Sequence, residues 1–426
     1  MRKITFFTSL FVVLFILTGC NNIENTTAAD YVPAATPPIP VERVAVPTEL
    51  ADDVYAAAIC FAQRLFRQML HLPDTENLVI SPLSAYYALA MAALGADGVT
   101  LEEFEQVLAR DPFVLAPELA ELAACLMTAG GSTELTVAGS VWICDKYTIP
   151  PDFNRRMTDY FGATAFSRDF RDESTVSEIN QWVYDQTNGL IDGVLGEIPN
   201  DTMMYLINTL YMYAKWSGTF RPMTERERMF TPEGDEARMV DFLTAGDGWA
   251  ALPLYARVTD AYEAVLLPYD DDRLGFFMVR PTGGQTVRDF AQTVDFLGIF
   301  AELELQKSVV VHMPALDKDF EFEMVEALQA MGLEAAFCEG RADFLGLVEY
   351  LPSGIPGFFI SDVQQMVRLI VDSEGTEAAA ATIISIVPTS MPYPPPLVLD
   401  FNTPYIYAII DLQTGVPLFI GVVDAP

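Results

Sequence analysis

The run Gly375-Thr376-Glu377-Ala378-Ala379-Ala380-Ala381-Thr382 combines residue types suited to a segment that changes place. Alternate residues of a strand face opposite sides. Thr376, Ala378, Ala380 and Thr382 could therefore enter a core together without charge or bulk, while Glu377 stays in water. Alanine also has the best intrinsic helix propensity, so a short helix over Ala378 to Ala381 is the competing reading. Ile383, Ile384, Ile386 and Val387 are β-branched and favour strands, and the prolines between Pro388 and Pro396 cannot continue a helix. The segment reads best as a loop convertible to a strand, and its chemistry is conformational: hydrogen bonds gained and side chains buried as the loop joins a sheet.

Residues for covalent or hydrolytic chemistry are sparse. The chain has two histidines, His71 at the end of a helical pattern and His312 inside the apolar run Val309 to Met313, and each reads as a structural histidine. No Gly-x-Ser-x-Gly, His-Glu-x-x-His or Gly-x-x-x-x-Gly-Lys motif occurs. Gly246-x-Gly248-x-x-Ala251 imitates a dinucleotide fingerprint, but Pro253 follows where a helix should run, so a turn is expected. Cys60, Cys125, Cys144 and Cys338 form no Cys-x-x-Cys pair and read as small buried hydrophobes, with oxidation of a pair left open. No catalytic residue, metal site or cofactor is expected.

The elements that must position the convertible loop are legible in outline. Residues 49 to 128 read as helices: an apolar helical pattern runs from Val54 to Leu70, and a second helix is capped by Ser81, opened by Pro82 and stopped by Gly95. Strands are expected at Leu135 to Cys144, Met203 to Tyr213, Val309 to Met313 and Val367 to Val371. A capping box at Thr175-x-x-Glu178 opens a helix whose inner face holds Ile179, Trp182, Val183 and Gln186, and which closes near Asn188-Gly189. Tyr405 to Ile410 and Leu418 to Val423 are nearly all apolar and suit a hairpin buried on both faces. With 51% hydrophobic residues and no break after residue 49, positions 49 to 426 read as one large α+β domain.

The N-terminus reads as an export signal. Arg2 and Lys3 precede an apolar run that is too short for a membrane span and ends in Leu17-Thr18-Gly19-Cys20. That ending resembles a bacterial lipobox, with residues 1–19 removed and Cys20 lipidated. Residues 20–48, rich in Ala, Thr and Pro, would then tether the domain to a membrane or leave it at the cell exterior. The net charge of −35 argues against nucleic acid and heparin-like polyanions, since phosphate or sulfate binding needs clustered Lys and Arg.

Several motifs occur together in an order that resembles the serpins. Asn77-Leu78-Val79-Ile80-Ser81-Pro82-Leu83-Ser84 is similar to the family's Asn-x-x-x-Ser-Pro-x-Ser segment, and Ile179-Asn180-Gln181-Trp182-Val183 with Thr187 and Ile191 to its Ile-Asn-x-Trp-Val helix. Leu206-Ile207-Asn208-Thr209-Leu210-Tyr211, then Trp216 and Phe220, resembles the central strand and its sequel. Ala342-Asp343-Phe344, the hinge at 375–382, Phe401-Asn402-Thr403-Pro404-Tyr405 and Thr414-Gly415-x-x-Leu418-Phe419-x-Gly421 complete the series. Any one of these is weak, but the ordered set spans nearly the whole domain.

The resemblance implies a fold of three β-sheets with eight or nine helices, and a reactive loop at about 375–400 that baits a serine protease. Cleavage gives an acyl-enzyme, and insertion of the hinge into the main sheet traps the protease before water releases it. It also implies a sheet-opening polar cluster of Ser81, Ser84, Asn208 and Gln365, the last standing where many relatives have histidine. Departures from the pattern are Ser373 and Ala315, where the family usually has a Glu–Lys pair, and Tyr213-Ala214 for the usual Lys-Gly. Family spacing from Gly375 places the reactive bond at Thr389–Ser390. Spacing from Phe401 points nearer Tyr393, but the bonds before Pro392 and Pro394 lack an N–H on the leaving side. Ser390–Met391 and Ile386–Val387 are the next choices. No Lys or Arg lies between Gly375 and Phe401, so an elastase-like or subtilisin-like target is expected rather than a trypsin-like one. A monomer is expected, because loop movement needs an unobstructed sheet. The alternative is a non-inhibitory serpin acting as a cell-surface binding lipoprotein.

Overall fold

The computed structural model describes residues 53–71, 77–127, 130–193, 195–199, 202–217, 224–246, 251–348, 358–376 and 395–426. In chain order the elements are α1 (Val54–Met69), β1 (Leu78–Ile80), α2 (Pro82–Ala93), α3 (Gly98–Leu108), α4 (Pro112–Met127), β2 (Glu134–Cys144), α5 (Pro151–Phe161), β3 (Thr164–Arg168) and α6 (Glu173–Gln186). Then come β4 (Met204–Lys215), β5 (Thr224–Phe230), β6 (Arg238–Ala245), β7 (Leu252–Val258), β8 (Tyr262–Pro268), β9 (Leu274–Pro281), α7 (Val287–Thr293), α8 (Phe296–Phe300) and β10 (Glu304–Pro314). β11 (Leu316–Glu323), α9 (Val325–Ala330), β12 (Gln364–Val371), β13 (Gly375–Thr376), β14 (Leu397–Asp400), β15 (Tyr405–Asp411) and β16 (Pro417–Val423) complete the chain. The described residues thus hold nine α-helices.

Every residue of α2 is buried, so this helix is central to the core, packed against α1, α3, β4 and β16. Its start is fixed locally: the Ser81 hydroxyl accepts from the Ser84 N–H at 3.3 Å, and Pro82 occupies the first turn, where no N–H is needed. α1 begins at Asp53, which accepts from the Ala56 N–H at 2.9 Å, and buries Phe61, Leu65, Phe66 and Met69 completely. Each such side chain contributes about 1.5–3 kcal/mol by leaving water.

The strands form two hydrogen-bonded sheets. One has six strands in the order β11-β12-β13-β4-β2-β3. The other has ten, in the order β1-β16-β15-β9-β8-β7-β10-β6-β5 with β14 beside β10. The expected count of three arises by dividing the larger sheet at β10, whose first half pairs with β7 and whose second half pairs with β6 and β14. β15 and β16 are buried on both faces, as their unbroken apolar runs require.

Three details correct the sequence reading. Residues 49 to 128 are not helical throughout, because the aliphatic Leu78–Ile80 adds an edge strand to β16 by antiparallel pairing. The cap of α6 is Asp172, which accepts from the Ser174 N–H at 2.9 Å; a carboxylate at a helix start also meets the positive end of the dipole. Thr175 lies inside that helix and donates to the Asp169 carbonyl at 2.8 Å, while Glu178 turns outward to Arg168. Finally, none of the four described cysteines is in a disulfide, and only Cys60 and Cys144 are buried. Cys125 lies on the exposed side of α4 and Cys338 is half-buried after a short turn.

Candidate functional site

The six-stranded sheet contains a seam. β13 runs antiparallel to both β12 and β4, so those two strands run parallel to one another with β13 between them. Only two residues fill that place: Gly375 lies opposite Lys215, and Thr376 opposite Ala214 on one side and Val371 on the other. At the far end β4 meets the residue preceding β12 in a single bridge, Tyr205 to Asp362. Between these two closures, among the described residues, no further rung joins β4 to β12.

The seam is roofed rather than open to bulk water. α6 and the chain after it cover two adjoining clefts of about 440 and 390 Å³, counted to their mouths, lined by Leu206, Thr209 and Tyr211 of β4 and Met366, Leu369 and Ile370 of β12. The two parts of the roof are joined by the Asn180 carboxamide, which donates to the Leu195 carbonyl at 2.8 Å and accepts from its N–H at 2.9 Å. The Thr187 hydroxyl accepts from the Ile191 N–H at 3.2 Å. Two buried oxygens beside the seam, Thr209 Oγ1 and Asp362 Oδ1, have no hydrogen-bond partner among the described residues. Burial, with Glu323 and Glu321 nearby, holds the Asp362 carboxyl above its ordinary pKa.

Under the seam lies a polar contact in an apolar surround. Gln365 is 4% exposed; its Oε1 accepts from the Ser81 N–H at 2.9 Å and its Nε2 donates to the Ser81 carbonyl at 2.8 Å. The Ser81 hydroxyl donates to the Leu418 carbonyl at 2.9 Å. These bonds join β12, the start of α2 and β16. Ser81, Ser84 and Gln365 are therefore brought together. Asn208 stands in β4 opposite Gly139, and its side chain lies outside the described residues.

The top of the seam is held by Trp216, which the motif after the central strand includes, and by Tyr269 and Asp372, which no motif includes. Tyr269 is fully buried and its hydroxyl hydrogen-bonds the Thr376 hydroxyl at 2.7 Å; burial pushes its phenol pKa upward, so it stays protonated. Its ring stacks on Trp216 with centroids 4.9 Å apart. Trp216 Nε1 donates to the Asp372 carbonyl at 2.8 Å, and the Trp216 N–H donates to the Glu374 carbonyl at 2.9 Å. Next to Ser373, where the Glu of the resemblance would stand, Asp372 closes the turn, its Oδ1 accepting from the N–H groups of Glu374 (2.8 Å) and Gly375 (3.2 Å). Burial raises the Asp372 carboxyl pKa against those two bonds. Gly375 is required there: a Cβ would lie 2.1 Å from the Ala214 carbonyl oxygen. Trp216 is the one member of this group that the sequence motifs mark.

The other root of the loop is β14, which pairs in parallel with β10 from Leu397 to Asp400. Arg228 binds Asp400 at 2.7 Å, and His312 hydrogen-bonds Thr244 through Nδ1 at 2.9 Å. His71 contacts Gln292 at 3.2 Å. Both histidines thus have structural partners. Cys20, Glu377 to Thr382, Thr389 and Ser390 lie outside the described residues.

A family profile described as "Serpin (serine protease inhibitor)" matches residues 56–426. The chain belongs to the serpin family. This serpin is 32% identical over 385 residues to Putative serpin-Z5 of Oryza sativa subsp. japonica, spanning 83% of this chain and 85% of that protein. It is 27% identical over 376 residues to Alpha-1-antiproteinase 2 of Equus caballus, spanning 86% and 85%. Among solved structures, the thermophilic serpin Tengpin in the native state matches with a TM-score of 0.79 at 29% identity, over 91% of this chain and 98% of that one. The helices and sheets described above are therefore the serpin fold, and this serpin belongs to a family of protease inhibitors rather than of enzymes.

Proposed function

We propose that this serpin inhibits a serine protease as a suicide substrate, with the hinge at Gly375 to Thr382 entering the seam between β4 and β12 after cleavage at Thr389–Ser390. The observation that carries this reading is the pair of residues in β13, already placed between two parallel strands that are otherwise unjoined down to Tyr205 and Asp362. Both strands run the same number of residues between the closures, from Tyr205 to Ala214 and from Asp362 to Val371. A strand continuing from Thr376 would meet Met212 and Leu369 with Ala378, Leu210 and Val367 with Ala380, and Asn208 and Gln365 with Thr382. Small neutral side chains at those three positions suit burial on the core face, where an unpaired charge costs several kcal/mol.

In this scheme the protease serine attacks the Thr389 carbonyl, the bond to Ser390 breaks, and the Ser390 amine leaves with a proton. The ester then faces two fates, hydrolysis or strand insertion. Insertion gains hydrogen bonds on both edges and drags the esterified enzyme away from its working geometry. The loop composition favours an elastase-like or subtilisin-like target, and the strongly acidic inhibitor would steer toward a cationic one at a rate that falls with salt. The acidic balance also favours neither nucleic acid nor heparin as partner, the leader with Cys20 supports export and attachment to the surface by lipid alone, and loop movement through an unobstructed sheet favours a monomer. Incubation with a panel of elastase-like, subtilisin-like and trypsin-like proteases tests the reading. A complex that survives boiling in detergent, with a C-terminal fragment whose mass begins at Ser390, is expected. Clean cleavage without complex would refute inhibition, and a fragment beginning elsewhere would move the bond.

A further inference from the structure

Resting on that reading, we propose that Tyr269 is a positioning residue: its hydroxyl seats Thr376 as a preformed first rung from which the inserted strand grows. The seat is rigid for reasons independent of the loop. Tyr269 is fully buried, its ring lies within 5° of parallel to Trp216, and Trp216 in turn touches Phe276 edge-on at 5.9 Å. This aromatic group holds the turn before the hinge through the carbonyls of Asp372 and Glu374, and the Asp372 carboxylate holds the Glu374 and Gly375 N–H groups. Among the described residues, the bond to Tyr269 at 2.7 Å is the side-chain hydrogen bond of Thr376, which is 4% exposed.

The position of that bond gives it a kinetic consequence. Ordering the first residues of a strand loses backbone freedom before later rungs repay it. In this serpin residues 375 and 376 are ordered before any cleavage, so insertion begins at residue 377. Without the Tyr269 hydroxyl, Thr376 carries a buried donor with no partner and the rung loosens. Ordering it then competes with hydrolysis of the acyl-enzyme, and more inhibitor is turned over as substrate.

Tyr269→Phe keeps the ring stack and removes only the hydroxyl; Thr376→Val removes its partner. Amide exchange at Thr376 in the intact protein reads the seat directly, and the ratio of detergent-stable complex to cleaved free inhibitor reads its consequence. Either variant should speed exchange at Thr376 about fivefold, the weight of one net hydrogen bond, and move the ratio toward cleaved inhibitor by a similar factor. The double variant should be no worse than either single, because the two groups act as one. Wild-type exchange at Thr376 in Tyr269→Phe, or a double variant equal to the sum of the singles, overturns the seat. Faster exchange in both variants with no complex from the wild type keeps the seat and removes the inhibitory reading instead.

Discussion

Replacing Gln365 by alanine strips the Ser81 N–H of its partner and takes one of two donors from the Ser81 carbonyl, which keeps the Ala85 N–H at 3.2 Å. The Ser81 N–H and carbonyl bond the two ends of one carboxamide at 2.9 and 2.8 Å, in a residue that is 2% exposed, so water cannot take over. The N–H left unsatisfied costs about 1–3 kcal/mol, and the lost second bond to the carbonyl together with the void adds about 1–2 kcal/mol, for a sum of roughly 2–5 kcal/mol. At about 2 °C per kcal/mol for a domain of this size, the unfolding midpoint of the intact protein should fall by roughly 4–10 °C. Scans at one fixed heating rate are needed, since serpin unfolding is governed in part by rates. Gln365→Glu sharpens the test. It nearly preserves shape and still accepts from the Ser81 N–H, but offers the carbonyl no donor while ionised. Its midpoint should fall at least as far at neutral pH and recover partly under mild acid, as the carboxyl becomes a donor. A Gln365→Ala midpoint within 2 °C of wild type would show that the two bonds carry no stability.

Three further outcomes follow from the same structure. Thr209→Val removes a buried hydroxyl that has no partner among the described residues, and should raise the intact midpoint by about 2–4 °C while slowing insertion, both read against wild type by scanning and by complex yield. Ala380→Arg should be cleaved at the wild-type rate yet form no stable complex on gels, because its charge would enter the core face between Leu210 and Val367. His312 titrates with a definite sign: burial first, and Arg228 second, hold its pKa below 6.5 against the pull of Asp400, so the neutral ring is the folded form. Its share of stability is therefore complete above 6.5 and is lost as pH falls from there toward the lower folded pKa. His312→Gln should flatten that part of a midpoint-against-pH curve.

How far the sequence reaches can be judged element by element. The α2 boundaries and the doubly buried β15–β16 hairpin were legible, since a Ser-Pro start and unbroken apolar runs act locally. The Leu78–Ile80 strand was hidden because three aliphatic residues before a helix carry no period of their own, and only β16 makes them a strand. The Thr175 capping box was outcompeted by Asp172, a choice that depends on where the chain enters the helix. Gln365 and Ser81 were linked through the family resemblance, but the two-ended bond between them is a fact of the fold. The seam itself left no local trace, because it consists of two strands failing to pair. Tyr269 reaches Thr376 across 107 residues of sequence, so its part could not be read from spacing.

Inhibition by strand insertion requires a stored difference in stability between the intact and the cut molecule. Calorimetry of the purified domain before and after a single cut within residues 383–393 measures it directly. The cut form, its hinge filling the space between β4 and β12, should unfold at a markedly higher temperature than the intact form. Equal unfolding temperatures for the two forms would contradict strand insertion.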